Sequence, residues 1–277
     1  MTEITDQLGR VIRVPEAPTR LISLCPSTTE TLFALGVGAN VVGRTNYCIH
    51  PVGEVETVAS IGGTKRVKID NVAALEPDLV ISVREENVEG QIDTLAERWP
   101  VCVLDPVDVD SAIVSIELLG RAIGRSDAAV DLATRIRAAF AELPDANGLR
   151  VAYFIWRKPF MVAGADTYID DLLDRLGLVN VARQLDGRYP VFDHDAARRL
   201  RPEFLLASSE PFPFSDKHID ELRELGAEPV LVDGEAFGWH GARMLPAAAY
   251  FAELVSRLLR LDRPVGHDAE TDVEHQG

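Results

Sequence analysis

Short apolar runs bounded by turn residues alternate with amphipathic stretches along this chain of 277 residues, and the alternation stops once, in the middle. Runs at 21–24, 40–44, 79–83 and 101–104 form one group, and runs at 150–155, 204–207 and 229–232 form another. Short strands separated by helical patterns imply βαβ units, and βαβ units imply mostly parallel sheets flanked by helices. Between the groups, 110–123 and 126–143 are two consecutive helical stretches parted at Gly124 with no strand between them. The second is rich in strong helix formers and spans roughly 26 Å at the helical rise. Pro144, Asn147 and Gly148 end it before the next strand. The fold class expected is therefore α/β, with an N-terminal lobe over 1–124, a connecting helix over 125–146 and a C-terminal lobe over 147–277. The length allows each lobe a core of its own.

Local signals fill in parts of this outline. Residues 6–14 read as a small hairpin turning at Gly9. Ser27 followed by Glu30 reads as a capping box opening a helix over 28–35, with Gly36 free to take the left-handed position after it. Gly62 and Gly63 follow no clear strand, so a turn accounts for them better than a phosphate cradle. The residues from Pro264 onward are polar and acidic and read as a frayed tail.

Composition narrows the function. The formal net charge of −16 opposes nucleic acid and anionic lipid. No stretch is apolar for long enough to span a bilayer, and the first residues lack the basic and apolar regions of an export signal. That leaves a cytoplasmic chain, or an exported one whose leader is removed. The three cysteines, Cys25, Cys48 and Cys102, have no CxxC spacing, so neither a disulfide framework nor a zinc site is expected. None of the six histidines pairs with another at metal-ligand spacing: His50 and His240 fall in loops, His194 and His218 on helices, His267 and His275 in the tail. No metal site is expected. The P-loop, nucleophile-elbow, zincin and dinucleotide motifs are absent, which argues against an enzyme.

The halves resemble each other. Residues 75–82 and 200–208 share the order helix end, proline, acid, apolar strand, serine. Asp70 and Asp195 each lie five positions ahead, so in two related lobes they occupy matching surface positions; the alternative is that both simply favour a helix start. Ligands of open α/β sheets bind beyond the carboxyl ends of strands. The loops there carry Pro26 and Ser27, then Tyr47 and Cys48, then Arg84; the second half supplies Trp156, Arg157 and Phe160, then Phe237, Trp239, His240 and Arg243. With aromatics at only 6% of the chain, their concentration at strand ends points to a broad aromatic cleft, against the alternative that the rings close off the ends of the sheets. Cys48 has two readings, an axial ligand for iron or cobalt or an inert buried thiol.

These residues also resemble a family. The stretches 21–36, 42–47 and 74–81, with the loop 237–243, are similar to the cobalamin and iron-siderophore substrate-binding proteins of bacterial ABC importers, closest to the cobalamin-binding members, and the order is kept from about Leu21 to Leu261. The resemblance implies two Rossmann-like lobes joined by one long rigid backbone α-helix, a preformed cleft, no intrinsic cofactor and an extracytoplasmic monomer that works with a transporter permease. It implies a corrinoid as ligand, with Pro26 and Ser27 at a helix start, Tyr47 against the macrocycle, Trp156 and Phe160 flanking it, Trp239 at an edge, and Arg243 ordering its loop or meeting the ligand. Heme, held by Tyr47, Cys48 or His240, and a ferric siderophore, held by Arg44, Arg157, Lys158 and Arg243, are the competing ligands. Asp70 and Asp195 fall where the family places transporter-docking acids, usually Glu. A cytoplasmic enzyme or chelate-handling protein on the same scaffold is the alternative of another class.

Overall fold

The computed structural model describes residues 1–262; the expected tail, with His267 and His275, lies outside the described residues. The chain opens with an antiparallel hairpin, β1 (Thr2–Thr5) and β2 (Val11–Val14). Gly9 turns it at φ +77, and the Asp6 carboxylate closes it by accepting from the Leu8 and Arg10 amides and the Arg10 guanidinium.

The first lobe continues with β3 (Leu21–Ser23), α1 (Pro26–Ala34), β4 (Val41–Arg44), β5 (Ala59–Ser60), the hairpin arms β6 (Gly62–Gly63) and β7 (Arg66–Val67), α2 (Ile69–Ala74), β8 (Leu79–Val83), α3 (Glu89–Ala96) and β9 (Val101–Leu104). Its sheet is parallel throughout, in the order β5-β4-β3-β8-β9. The connector is α4 (Val109–Ala122) packed against α5 (Ser126–Ala141), with Gly124 between them at φ +69. A side chain at Gly124 would meet the Glu16 carbonyl as well as strain the backbone, so only glycine suits the corner.

The second lobe holds β10 (Arg150–Trp156), β11 (Met161–Val162), α6 (Tyr168–Arg175), β12 (Val179–Asn180), α7 (His194–Leu200), β13 (Phe204–Ser208), α8 (Ile219–Arg223), β14 (Glu228–Val232), α9 (Gly234–Gly238) and α10 (Met244–Asp262). The order is β11-β10-β13-β14, with β12 sharing the outer edge of β10; only β11 runs antiparallel.

Successive strand residues point to opposite faces, and the burial follows that period of two. On one face Leu79, Ile81, Cys102 and Leu104 of the first sheet join Val151, Tyr153, Phe204 and Leu206 of the second in a single core with α4, α5 and α10. On the outer faces Val80, Val101 and Val103 pack under α2 and α3, while Ala152, Phe154, Leu205 and Ala207 pack under α7 and α8. Each lobe thus keeps a core of its own, and the two share a third with the connector helices. Only the outer faces have private cores, because the connector helices fill the space between the two sheets.

The internal repeat is deeper than the sequence comparison reaches. Glu76 and Arg201, each before a proline, both take left-handed φ, 44° and 45°. Arg20 donates from its side chain to the Leu75 and Glu76 carbonyls at the end of α2, and Arg150 does the same to Leu200 and Arg201 at the end of α7. The backbone amide of each arginine is held by the acid after the proline, Asp78 at 3.0 Å and Glu203 at 2.7 Å. One strand-to-helix clamp is used twice.

Candidate functional site

Among the described residues, the bonds that join the lobes near the strand ends come from loops at the carboxyl ends of parallel strands, from the first turns of α1, and from Arg188 and Tyr189. The start of that helix differs from expectation. Cys25 is the N-cap and Pro26 occupies the first helical position, where its missing N–H costs nothing. The capping box of Ser27 and Glu30 is therefore not formed, and Gly36 alone behaves as expected, at φ +76. Ser27, Glu30 and Thr31, at helical spacing, form one stripe facing the second lobe. Ser27 Oγ lies 3.2 Å from His240 Nε2, Thr31 Oγ1 accepts from the Ala242 amide at 3.0 Å, and Glu30 takes both Nε and Nη2 of Arg243 at 3.0 and 2.8 Å. Gly241, at φ +91, sits so close to Thr31 Oγ1 that a methyl group there would collide with it.

Beyond this stripe further side chains of the two lobes meet. From the loop after β4, His50 Nε2 lies 3.0 Å from Glu235 Oε2 of the second lobe, its ring edge-on to Trp239. From the loop after β8, Glu85 accepts from Arg188 at 3.1 Å and from the Tyr189 hydroxyl. That loop is pinned by Asn87, which is buried: its Oδ1 accepts from Ser82 and Val83, and its Nδ2 donates to the carbonyls of Leu24 and Thr64. Trp239 donates its Nε1–H to Glu210 Oε2 at 2.8 Å, under the Arg243 guanidinium. Burial raises the carboxyl pKa of Glu210, partly offset by that bond. Two surface hollows are present, one of about 440 Å³ beside β2 and one of about 570 Å³ between α10 and the loops after β13 and β14, where it reaches Ser209 and Asp233.

The expected residues separate into groups. Tyr47 is 62% exposed with its ring over Gly63, and Trp156 is 43% exposed with Phe212 edge-on at 5.9 Å. Pro26 is partly open at the start of α1 and Arg243 orders its own loop, whereas Trp239, expected at an edge, is buried at 7% exposure. Arg84 is engaged by Asp105 and Arg157 by Glu221, each within its own lobe.

The burial of other candidates corrects a cleft role for them or favours the alternative reading. Phe237 is fully buried against Tyr153, Tyr250 and Phe251, because α9 turns its apolar face to the core. Phe160 packs on Phe154 and Phe214 in the outer core of the second sheet, the sheet-closing role weighed against a cleft role. Cys48 is buried, its sulfur within 3.0 Å of Thr29 Oγ1 and 3.2 Å of Thr45 Oγ1, and desolvation pushes its thiol pKa up, which keeps it protonated and inert. Ser27 and His240 are buried against each other at the lobe contact. Among the described residues no three His, Cys, Asp or Glu side chains are grouped to hold a metal ion. Glu85, Arg188, Tyr189, Glu210 and Glu235 join these contacts beyond the residues expected from sequence. Glu85 stands in a strand-end loop, where sequence pattern can find it, but Arg188 and Tyr189 reach it only through tertiary packing.

Burial lowers the His240 ring pKa to about 4. An unfolded histidine takes its proton near pH 6.5, so between 6.5 and about 4 the unfolded chain binds more protons than the folded one. Stability from this group is complete above 6.5 and declines on acidification, by about 3 kcal/mol in all. Denaturant melts at pH 7.5 and 4.5 should show that loss in the wild type, and His240→Gln should remove it from the difference between the two pH values. An unchanged difference would mean that the ring is solvated.

Residues 21–228 match the family described as periplasmic binding protein. The chain is similar to the vitamin B12-binding protein of Pectobacterium carotovorum, 22% identical over 248 residues that cover 87% of this chain and 90% of that one. It is also similar to the uncharacterized ABC transporter substrate-binding lipoprotein YvrC of Bacillus subtilis, 26% identical over 218 residues, 74% of this chain and 68% of the relative. Among solved structures, the apo form of the periplasmic heme-binding protein RhuT from Roseiflexus sp. RS-1 superposes with a TM-score of 0.73 at 21% identity, covering 87% of this chain and 98% of the other.

Proposed function

Because the chain belongs to the periplasmic binding protein family, we propose that it is the substrate-binding component of an ABC importer and carries a flat metal chelate, a corrinoid first, between its lobes. The assignment is non-catalytic. One observation carries it: Tyr47, in the loop after β4, and Trp156, the last residue of β10, are exposed aromatic rings at the carboxyl ends of strands in opposite lobes. His50, three residues after Tyr47, meets Glu235 of the second lobe, and Phe212, against Trp156, is two residues from Glu210. A large planar ligand needs apolar faces of this kind with a few fixed polar groups between them. The vitamin B12-binding and ABC-transporter relatives support the same reading.

Heme is the second reading, favoured by the exposed Tyr47 phenol and by the likeness to a heme-binding structure. The burial of Cys48 and His240 weighs against it. Titration with cyanocobalamin, hemin and ferric siderophores, followed by visible absorbance, tests both; no binding to any of them at micromolar concentration would end the proposal. The lipoprotein relative supports an extracytoplasmic location. No helix among the described residues is long and apolar enough to cross a membrane, so a permease would supply the pore.

Docking to that permease falls to Asp70 and Asp195. Both are exposed in the first turns of α2 and α7, the two matched helices that precede β8 and β13. A helix entering a parallel strand starts near the carboxyl edge of the sheet, so both acids belong to the cleft side of the molecule, one on each lobe. Asp195 pairs with Arg198, an exposed contact of little energetic weight. Asp70→Ala with Asp195→Ala is expected to weaken transporter association at least about tenfold with ligand affinity unchanged. A loss of ligand binding would assign the acids to the cleft instead.

A further inference from the structure

The hairpin that opens the chain leaves one strand edge bare. The Asp6 N–H donates to the Arg10 carbonyl at 3.0 Å, so, counting by two from Arg10, the backbone of Ile12 and Val14 faces β1 and that of Val11 and Arg13 faces away. β2 pairs with no strand but β1, and the outward N–H and C=O groups of Val11 and Arg13 have no partner among the described residues. Such an edge is a template for another chain.

Beside it lies the hollow of about 440 Å³. Arg10 to Arg13 form one wall and residues 96–101, where α3 ends and β9 begins, form the other; β1 gives nothing to the lining, so the hollow is on the unpaired side of β2. Across it, the carbonyls of Pro100 and Leu104 turn to β8, which directs Val101 and Val103 to the outer edge of β9. The hairpin turn covers Val103, whose N–H donates to Asp6 and whose carbonyl accepts from the Gln7 amide, and Arg10 donates to the Val101 carbonyl at 3.1 Å. The Val101 N–H is left without a partner among the described residues, in a residue only 2% exposed. A buried amide with no acceptor costs about 1–3 kcal/mol, and an incoming carbonyl would remove that cost. Charge here is one-sided as well. Arg10, Arg13 and Arg98 line the hollow against one carboxylate, Glu97, in a chain of net charge −16. Arg10 is held by Asp6, but Arg98 lies over the Trp99 ring at 4.3 Å with no carboxylate partner among the described residues, and the Arg13–Glu3 pair stands mostly in solvent, where it is worth little.

We propose that the bare edge of β2 and the basic hollow beside it form a docking site for an extended acidic segment of a partner protein, which joins the hairpin as a third strand. The open backbone groups of Val11 and Arg13 stand about 7 Å apart, the repeat of an added strand, and call for peptide rather than for a small anion. Main-chain bonds then supply the affinity, while Arg13 and Arg98 select carboxylate side chains on the incoming strand. Nothing in this depends on what the cleft carries.

The probe is a blocked, fluorescently labelled peptide of alternating glutamate and threonine, titrated by anisotropy against the full chain. Its controls are the same peptide with lysine for glutamate, a version N-methylated throughout, and vesicles of phosphatidylglycerol. The glutamate peptide should bind at least about tenfold more tightly than either control peptide, and Arg13→Glu with Arg98→Glu should weaken it by at least about tenfold. Both side chains are exposed, so that double variant should melt close to the wild type. Val11→Pro removes one outward N–H and none of the bonds to β1, and should weaken the same peptide several-fold. No binding of the glutamate peptide at millimolar concentration, equal affinity for the lysine or N-methylated peptide, or affinity that no variant moves overturns the inference. Binding to the vesicles without binding to the peptide assigns the patch to anionic lipid, and a dimer that Arg13→Glu dissociates assigns it to a second copy; either result also overturns it. The chelate reading is tested in the cleft and stands or falls separately.

Discussion

Replacing Tyr47 and Trp156 together by alanine is expected to weaken corrinoid binding by two to three orders of magnitude and to leave folding nearly untouched. Both rings stand mostly in solvent, at 62% and 43% exposure, so the folded chain gains little from them. A planar ligand laid between them would remove about 80 Å² of apolar surface per ring, which at about 25 cal/mol per Å² is about 2 kcal/mol each. The two losses come from opposite lobes with no shared contact, so they should add to about 4 kcal/mol, close to a thousandfold in Kd. Absorbance titration of the single and double variants measures this directly. If the double variant binds within threefold of the wild type, the ligand does not lie between these rings.

The exposed rings of Tyr47 and Trp156 could be placed at strand ends from sequence because strand ends can be found from local pattern alone. A run such as Leu79 to Val83, with Ser82 its one polar residue, is buried on both faces, and its end marks the edge where a ligand can sit. The same reasoning cannot tell which side chain in a following loop turns outward. Trp239 and Phe237 are two residues apart, yet Trp239 meets Glu210 and His50 while Phe237 fills the core, because the short helix α9 ends between them. The misread helix start has a similarly local cause. Ser27 and Glu30 fit the capping pattern, but Pro26 starts the helix two residues earlier and turns both side chains to the other lobe. Arg188 and Tyr189 left no local signal at all. Their partner, Glu85, is more than 100 positions away.

The second large effect follows from that placement of Phe237. Phe237→Ala is expected to cost about 3–5 kcal/mol of stability, the usual price of emptying a full aromatic site in a core that cannot collapse. The ring is wholly buried and meets Tyr153 at 4.8 Å and Phe251 at 5.0 Å between centroids, with Tyr250 edge-on at 6.4 Å. These neighbours come from a central strand and from a helix of 19 residues, so neither can move in to fill the space. Phe237→Leu keeps much of the volume and should recover a good part of the loss. Denaturant melts of the three proteins supply the stabilities, and titration below the unfolding transition supplies the affinities. Ligand binding by the folded fraction of Phe237→Ala should stay within a few fold of the wild type, because the ring reaches no surface of the gap. A variant with wild-type stability and a tenfold loss of affinity would reverse the assignment and return Phe237 to the cleft.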